Sequence, residues 1–176
     1  QEVSKASNFV QGVDTAFIVI LGICFVFLIG LTFIMIYFIY KYNRKRNPVA
    51  TQIHGSVTLE IVWTVVPFLL TIVMFYYGWA GWAPMQKAPK DSMEITVYGR
   101  MWNFSFEYEN GKRTDTLYLP KDKPVKLNLV AMDVLHSLYI PAFRVKQDMV
   151  PNMKNNFMWF EPQRVGIYDI FCAEYC

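Results

Sequence analysis

The sequence predicts two membrane-spanning helices followed by an outer domain built as a β-sandwich. Two long uncharged stretches, a basic loop between them and a period-two apolar pattern in the second half predict this arrangement. With 54% hydrophobic and 18% charged residues, the chain is too apolar for a disordered segment. The formal net charge of +3 is smaller than the basic excess that binding to nucleic acid normally needs. Nucleic acid is therefore not expected as a partner.

The first span covers residues 15–40 and follows an outer N-terminal segment, residues 1–14. As a helix its 26 uncharged residues would be about 39 Å long, which exceeds a hydrocarbon core of roughly 30 Å. A signal peptide is the alternative, but it has a shorter apolar core and a small-residue cleavage site. Because the first residue is Gln1 rather than Met, we expect the start to have been processed or trimmed.

The second span, residues 61–83, contains Pro67, which removes a backbone donor and predicts a kink. The loop between the spans, residues 41–60, has four positive charges within Lys41–Arg46. The positive-inside rule places this loop in the cytoplasm, so that both termini face outward.

Residues 84–176 are predicted to form a soluble domain of short strands. Their charges nearly balance, with 12 Lys and Arg against 11 Asp and Glu. The Asn110–Gly111 pair is a strong hairpin turn signal, and an antiparallel sandwich is the expected architecture. Strands are predicted from apolar alternation or short apolar runs at residues 102–108, 125–131, 157–160 and 166–171.

Two cysteines and a carboxylate lie within the last five residues, Cys172–Cys176. An extended strand would separate the two sulfurs by about 13 Å, so the segment must curl if both are to reach one metal ion. A disulfide requires a similar curl. From these residues alone, a disulfide and a metal site are equal alternatives.

His136 favours the metal site. It is one of two histidines and follows a predicted strand in the segment Asp133–Ser137. A lone histidine is more often structural than a ligand, but this one shares a small β domain with the cysteine segment. Imidazole combined with thiolates favours copper or zinc over calcium or magnesium.

Motifs in order along nearly the whole chain resemble subunit II of the haem–copper cytochrome c oxidases. The outer domain has the sequence Asp-Val-Leu-His-Ser at 133–137, Gly166-x-Tyr168, and Cys172-x-Glu174-x-Cys176. The membrane half has Glu-x-x-Trp-Thr-x-x-Pro at 60–67, and an aromatic strand follows Gly-Arg-Met-Trp at 99–102. The resemblance implies a two-helix transmembrane hairpin followed by an all-β cupredoxin-like Greek-key sandwich.

The resemblance also implies a dinuclear copper centre, CuA, which accepts electrons from cytochrome c and passes them to haem in subunit I. Its implied ligands are the bridging thiolates of Cys172 and Cys176, the imidazole of His136 and the backbone carbonyl of Glu174. The side chain of Glu174 is implied to reach a magnesium or manganese ion shared with subunit I.

Two features depart from the family pattern. A second histidine and a methionine are expected a few residues beyond Cys176. We expect a truncated C-terminus rather than a defective site, because both cysteines are retained. The pair Asn152–Met153 stands where the family usually has Gly-Arg.

Two further residues receive roles from the resemblance. Trp102 corresponds to the tryptophan through which electrons arrive from cytochrome c; the alternative is a core aromatic, because it shares strand parity with Phe104 and Phe106. Exposure near the copper ligands would favour the electron-transfer role. Glu60 corresponds to the mouth of a proton pathway into subunit I, although a carboxylate there also complements a helix N-terminus.

The sequence thus predicts the electron-transfer subunit of a respiratory cytochrome c oxidase, an enzyme only as part of the complex. We expect it in the bacterial plasma membrane with a periplasmic outer domain, in preference to the mitochondrial inner membrane. Expected partners are subunit I, further oxidase subunits, the bilayer, and cytochrome c or a tethered cytochrome c domain. The tethered form is suggested because the outer domain is not acidic.

Two alternatives belong to other functional classes. One is the related quinol-oxidase subunit II, which has no copper and serves structure. The other is a membrane-anchored copper carrier. The retained His136, Cys172 and Cys176 argue against the first, and the motif that begins at Glu60 argues against the second.

Overall fold

The structure, a computed structural model, describes residues 6–52 and 54–175. It divides into two compact units. One unit holds Thr15–Trp79, and the other joins the residues up to Asp14 with those from Ala80 onward. The helices are α1 (Val10–Lys41) and α2 (Val57–Trp82). The strands are β1 (Met93–Arg100), β2 (Asn103–Tyr108), β3 (Arg113–Thr114), β4 (Val125–Ala131), β5 (His136–Ile140), β6 (Val145–Met149), β7 (Phe157–Phe160) and β8 (Phe171–Cys172).

Both helices are long and apolar enough to cross a membrane. Their side chains are apolar on all sides and mostly exposed, as expected for helices that face lipid or another membrane protein. At the start of α2, the Ser56 hydroxyl accepts a hydrogen bond from the Leu59 N–H at 3.4 Å, which is the usual role of a helix N-cap. Glu60 therefore lies in the first turn of α2, and Pro67 lies inside the helix.

The β domain consists of a five-stranded sheet in the order β3-β2-β1-β4-β7 and a three-stranded sheet in the order β6-β5-β8. The order β4-β1-β2-β3 is that of a Greek key. The expectation of a purely antiparallel sandwich is wrong at one pair, because β1 and β4 run parallel. The connection of residues 115–124 carries the chain from the sheet edge at β3 across to the other side of β1, so β4 starts at the same end as β1.

The core lies between the two sheets. Along β4, Val125, Leu127 and Leu129 are buried, whereas Lys126 and Asn128 lie on the outer face. The period-two pattern of the sequence therefore identifies the buried face of this strand. The other sheet contributes Leu138 and Ile140 from β5 to the same core.

One predicted turn is confirmed and one predicted strand is largely wrong. Gly111 adopts φ +77°, a left-handed conformation natural for glycine, and its N–H donates to the Tyr108 carbonyl at 2.8 Å in the β2–β3 hairpin. Of the predicted strand at 166–171, only Phe171 belongs to a strand. Ile167 is fully exposed, whereas Tyr168 and Ile170 pack against the core, so the run contacts the core from a loop and not from a strand.

The N-terminal segment packs into the β domain, a contact that the sequence did not indicate. Ser7 forms an antiparallel bridge with Pro162, and its hydroxyl donates to the Phe143 carbonyl at 2.8 Å. Phe9 is buried, and its ring packs edge-to-face on Trp159 with the ring centroids 4.8 Å apart. Four residues of this segment are buried: Ala6, Ser7, Phe9 and Val10.

Candidate metal centre

His136 begins β5, and its side chain is only 1% exposed. Strand β8 pairs with β5 in antiparallel register, with Cys172 opposite Leu138. The Ala173 N–H donates to the Ser137 carbonyl at 3.0 Å, so this pairing extends beyond β8 towards His136. Residues two apart on a strand share a face, and the register thus brings Cys172 and His136 to the same face.

The side chains of these two residues meet. Interaction with the Cys172 side chain is one of the causes that raise the pKa of His136, so the two side chains lie close to one another. The Cys172 sulfur lies 3.7 Å from the backbone carbonyl oxygen of Glu174, because the chain curls after the strand. An imidazole, a thiol and a carbonyl oxygen therefore lie close together at the end of β8.

Asp133 fixes the orientation of the imidazole. Its Oδ1 lies 2.7 Å from Nε2 of His136, and its Oδ2 accepts the Met101 N–H at 2.8 Å. The Met101 amide, the His136 ring and the Val134 amide together lower the pKa of Asp133 to about 2. The ionised carboxylate holds the proton on Nε2, which leaves Nδ1 as the nitrogen able to ligate a metal.

The pKa of His136 is the result of opposing effects. Burial disfavours the charged imidazolium, but hydrogen bonds and charge interactions with Asp133 and Cys172 outweigh it and raise the pKa. The ring is thus held in a polar pair inside an otherwise apolar core.

Three apolar contacts complete the surroundings of the ring. A Cβ on Gly99 would lie 3.1 Å from Met149 Cε and 3.3 Å from His136 Cδ2, so glycine leaves the room that these two side chains occupy. The Phe104 ring stands edge-on, 6.3 Å from the imidazole centroid. Sequence reasoning missed Asp133, Gly99 and Met149; for Asp133 the available signal was a carboxylate three residues before the histidine.

Trp102 lies in the turn between β1 and β2, and 82% of it is exposed. The alternative of a core aromatic is therefore wrong: β2 begins at Asn103, and the buried residue of that strand is Phe106. The neighbouring Met101 amide bonds to Asp133, which bonds to His136. The backbone of Trp102 is thus connected, through the adjacent Met101 amide and two hydrogen bonds of Asp133, to the buried imidazole.

The remaining predicted site residues are placed as follows. Glu174 is half-buried beside Cys172, and Cys176 lies outside the described residues. Glu60 belongs to the helical unit. Within residues 6–52 and 54–175, no group of three or more His, Cys, Asp or Glu side chains is arranged to hold a metal ion.

Two sequence models of one family match the chain. The transmembrane domain of cytochrome c oxidase subunit II matches residues 3–79, and the periplasmic domain of the same subunit matches residues 112–176. The chain belongs to the cytochrome c oxidase subunit II family. The predicted recognition is thereby confirmed, and so is the fold of two apolar helices followed by a cupredoxin-like β-sandwich.

Relatives of known name agree with this family. Cytochrome c oxidase subunit 2 of Alkalihalophilus pseudofirmus is 34% identical over 169 residues, which cover 89% of this chain and 49% of the relative. The alternative cytochrome c oxidase subunit 2 of Bradyrhizobium diazoefficiens is 30% identical over 174 residues, which cover 81% of this chain and 62% of the relative. The chain thus spans about half to three-fifths of the length of these two subunit II proteins.

A solved structure of the periplasmic domain of subunit II of cytochrome oxidase from Bradyrhizobium japonicum is also similar. It is 29% identical, with a TM-score of 0.46, and the match covers 51% of this chain and 78% of that one.

The donors around His136 fit a copper ion. Thiolate and imidazole are the ligands that copper prefers in electron-transfer sites, and a backbone oxygen is a typical weak additional ligand. The imidazole is held by a carboxylate, as metal-ligating histidines usually are. The apolar contacts around the ring keep it away from bulk water.

Proposed function

We propose that this chain is the electron-transfer subunit of a respiratory cytochrome c oxidase, with the oxidoreductase activity belonging to the assembled complex. The convergence of buried His136 on Cys172, in a domain of this family, carries the proposal. Its partners are subunit I, further oxidase subunits and cytochrome c, either free or as a tethered domain. It resides in the bacterial plasma membrane, with the β domain in the periplasm.

The metal would be held by His136 through Nδ1 and by the thiolates of Cys172 and Cys176, with the Glu174 carbonyl as a weak ligand. When bound, a dinuclear copper centre, CuA, supplies a carrier that gains and loses one electron at a time. Asp133 orients the imidazole, and the packing around Gly99 excludes water from the ring. The magnesium or manganese site through the Glu174 carboxylate stays a prediction.

Copper stoichiometry and spin resonance test this function. We expect the full chain in detergent to take up two copper ions at the site of His136 and Cys172 and to show visible absorption with a mixed-valence spin-resonance spectrum, because the two ions would share one unpaired electron. A copper-free protein would favour the quinol-oxidase alternative. A single isolated copper would favour the carrier.

Trp102 is proposed as the residue through which electrons arrive, because it is exposed and is joined to His136 through Asp133. We expect Trp102→Ala to slow reduction of the oxidase by cytochrome c by about tenfold or more, equivalent to at least ~1.4 kcal/mol in the barrier. The measurement is stopped-flow reduction monitored at the copper absorption. The copper spectrum should be unchanged, and Tyr118→Ala, at another exposed aromatic, should leave the rate unchanged. An unaltered rate in Trp102→Ala would exclude this role.

Glu60 is proposed as the start of a proton pathway into subunit I. In the assembled oxidase, we expect Glu60→Ala to slow proton uptake while copper reduction by cytochrome c stays at the parental rate. Loss of the favourable charge in the first turn of α2 is worth only about 0.3–1 kcal/mol, which is too little to prevent assembly. Proton uptake is measured with a pH-sensitive dye in vesicles, and Glu60→Asp is the conservative control. Unchanged turnover and uptake in Glu60→Ala would show that the carboxylate has no proton role.

A further inference from the structure

A cavity of about 230 Å³ lies in the β domain, and neither His136 nor Cys172 lines it. Three of its lining side chains are methionines, Met85, Met153 and Met158. They come from three separate parts of the chain: the short helix that follows α2, the turn after β6, and β7. Three methionines that are far apart in sequence thus line the same cavity.

Hydrogen bonds fix the walls of this cavity. The Trp159 indole N–H donates to the Pro84 carbonyl at 3.1 Å and holds the turn of Met85 against β7. The Asn156 side-chain amide donates to the Asp148 carbonyl at 2.7 Å and ties the start of β7 to the end of β6. The methionines therefore sit on a pinned backbone rather than on free loops.

The donor chemistry of the cavity selects a soft monovalent ion. Among the residues described as lining it, none is Asp, Glu, His or Cys. The charged member is Lys146, whose ammonium lies 3.4 Å from Asp148 Oδ1. Neutral thioethers are poor ligands for Mg²⁺ and Ca²⁺ and weak ones for Zn²⁺, whereas soft thioether sulfur is a preferred ligand of Cu(I).

Core filling accounts for only part of this cluster. Methionine commonly fills irregular gaps; Met158, at 6% exposure, is a core residue, and the half-buried Met85 packs against the core. Met153 is different, because it is 53% exposed and fills no core. The three side chains differ in exposure and extend from the solvent to the interior of the domain. A site that takes up its ion from solution requires such an arrangement.

We propose that Met85, Met153 and Met158 bind one Cu(I) ion in this cavity, as a site separate from that of His136 and Cys172. The site gives a role to Met153, which with Asn152 departs from the Gly-Arg that the family usually has at these positions. It requires no ionised protein ligand, so its affinity does not depend on deprotonating a side chain.

The test uses the full chain in detergent, with Cys24, Cys172 and Cys176 replaced by Ser and His136 by Ala. Cu(I) is titrated without oxygen against a chromophoric Cu(I) chelator. We expect one bound Cu(I) per chain. Each of Met85→Leu, Met153→Leu and Met158→Leu should weaken binding by about tenfold or more, and the triple variant should abolish it. Leucine preserves the side-chain volume, so the fold should persist, as checked by circular dichroism.

The control is Met132→Leu, which replaces an exposed methionine outside the cavity and should leave the affinity unchanged. Silver ion should bind with the same variant pattern, and Zn²⁺ should not bind. Undiminished Cu(I) binding by the folded triple variant, or an equal loss in Met132→Leu, would overturn the proposal.

A second measurement applies if the background variant does not fold. In the parental chain, Met153→Leu combined with Met85→Leu should lower total copper by one ion per chain while the mixed-valence spectrum is retained. Unchanged total copper would contradict the cavity site. Loss of that spectrum with the additional copper retained would instead contradict the proposed function and leave the cavity site supported.

Discussion

Replacing Cys172 with serine is expected to abolish copper binding at His136 while the β-sandwich stays folded. A serine hydroxyl is not ionised at neutral pH and is a hard oxygen donor, so it would not replace a thiolate ligand of copper. Cys172 lies half-buried on β8, at the edge of the smaller sheet, so the change removes little packing. The measurement is copper content and visible absorption of the full chain, with circular dichroism to follow folding.

The matched control for this change is Cys24→Ser. Cys24 is exposed on α1, in the helical unit, and its replacement should leave both copper content and absorption unchanged. Retention of two coppers with the parental absorption in Cys172→Ser would remove the proposed ligand set.

Replacing Asp133 with alanine is expected to lower copper affinity by roughly 10- to 100-fold, the usual effect of losing the group that orients a ligating histidine. The change leaves Nε2 of His136 without its carboxylate and frees the Met101 amide that fixes the turn of Trp102. We therefore expect slower electron uptake from cytochrome c as well. The measurements are copper affinity by chelator competition and the hyperfine pattern in spin resonance, which a merely structural role would leave unchanged.

Two controls separate orientation from charge in this experiment. Asp133→Asn keeps an acceptor oxygen near Nε2 and should retain most of the affinity, whereas Asp115→Ala, at an exposed carboxylate, should retain all of it. The pKa of Asp133 is lowered from 3.8 to about 2. The carboxylate is therefore ionised at mildly acidic and neutral pH, and its support for the site is lost only as the pH falls through about 2. An affinity in Asp133→Ala equal to that of the parent would show that the ring is oriented by packing alone.

Sequence patterns predicted the parts of this fold that local physics determines. The alternation along residues 125–131 identifies the inward face of β4, because one face of a sheet is buried and the other is not. Gly111 marks the hairpin because its φ of +77° is costly for other residues. His136 and Cys172 were identified from their chemistry, although the antiparallel pairing of β5 with β8 that joins them is not visible in the sequence.

Features that depend on distant pairing could not be predicted. The parallel alignment of β1 with β4 depends on how the connection of residues 115–124 crosses the sheet, which no local pattern specifies. Asp133 was noted only as part of the Asp-Val-Leu-His-Ser motif, and its bond to the distant Met101 amide is visible only in the structure. Ile167 illustrates the reverse error, because an apolar run predicts a strand only where a neighbouring strand is present to bury it.

The packing of residues 6–10 against β7 has a consequence for biogenesis. The Ser7 hydroxyl bonds to a carbonyl 136 positions later, and the Asn8 side chain bonds to an amide 153 positions later. Residues 6–10 are therefore joined to the domain by contacts that need strands synthesised much later in the chain. Contacts so far apart in sequence form slowly, so Phe9 and Val10 become covered only once β7 is in place.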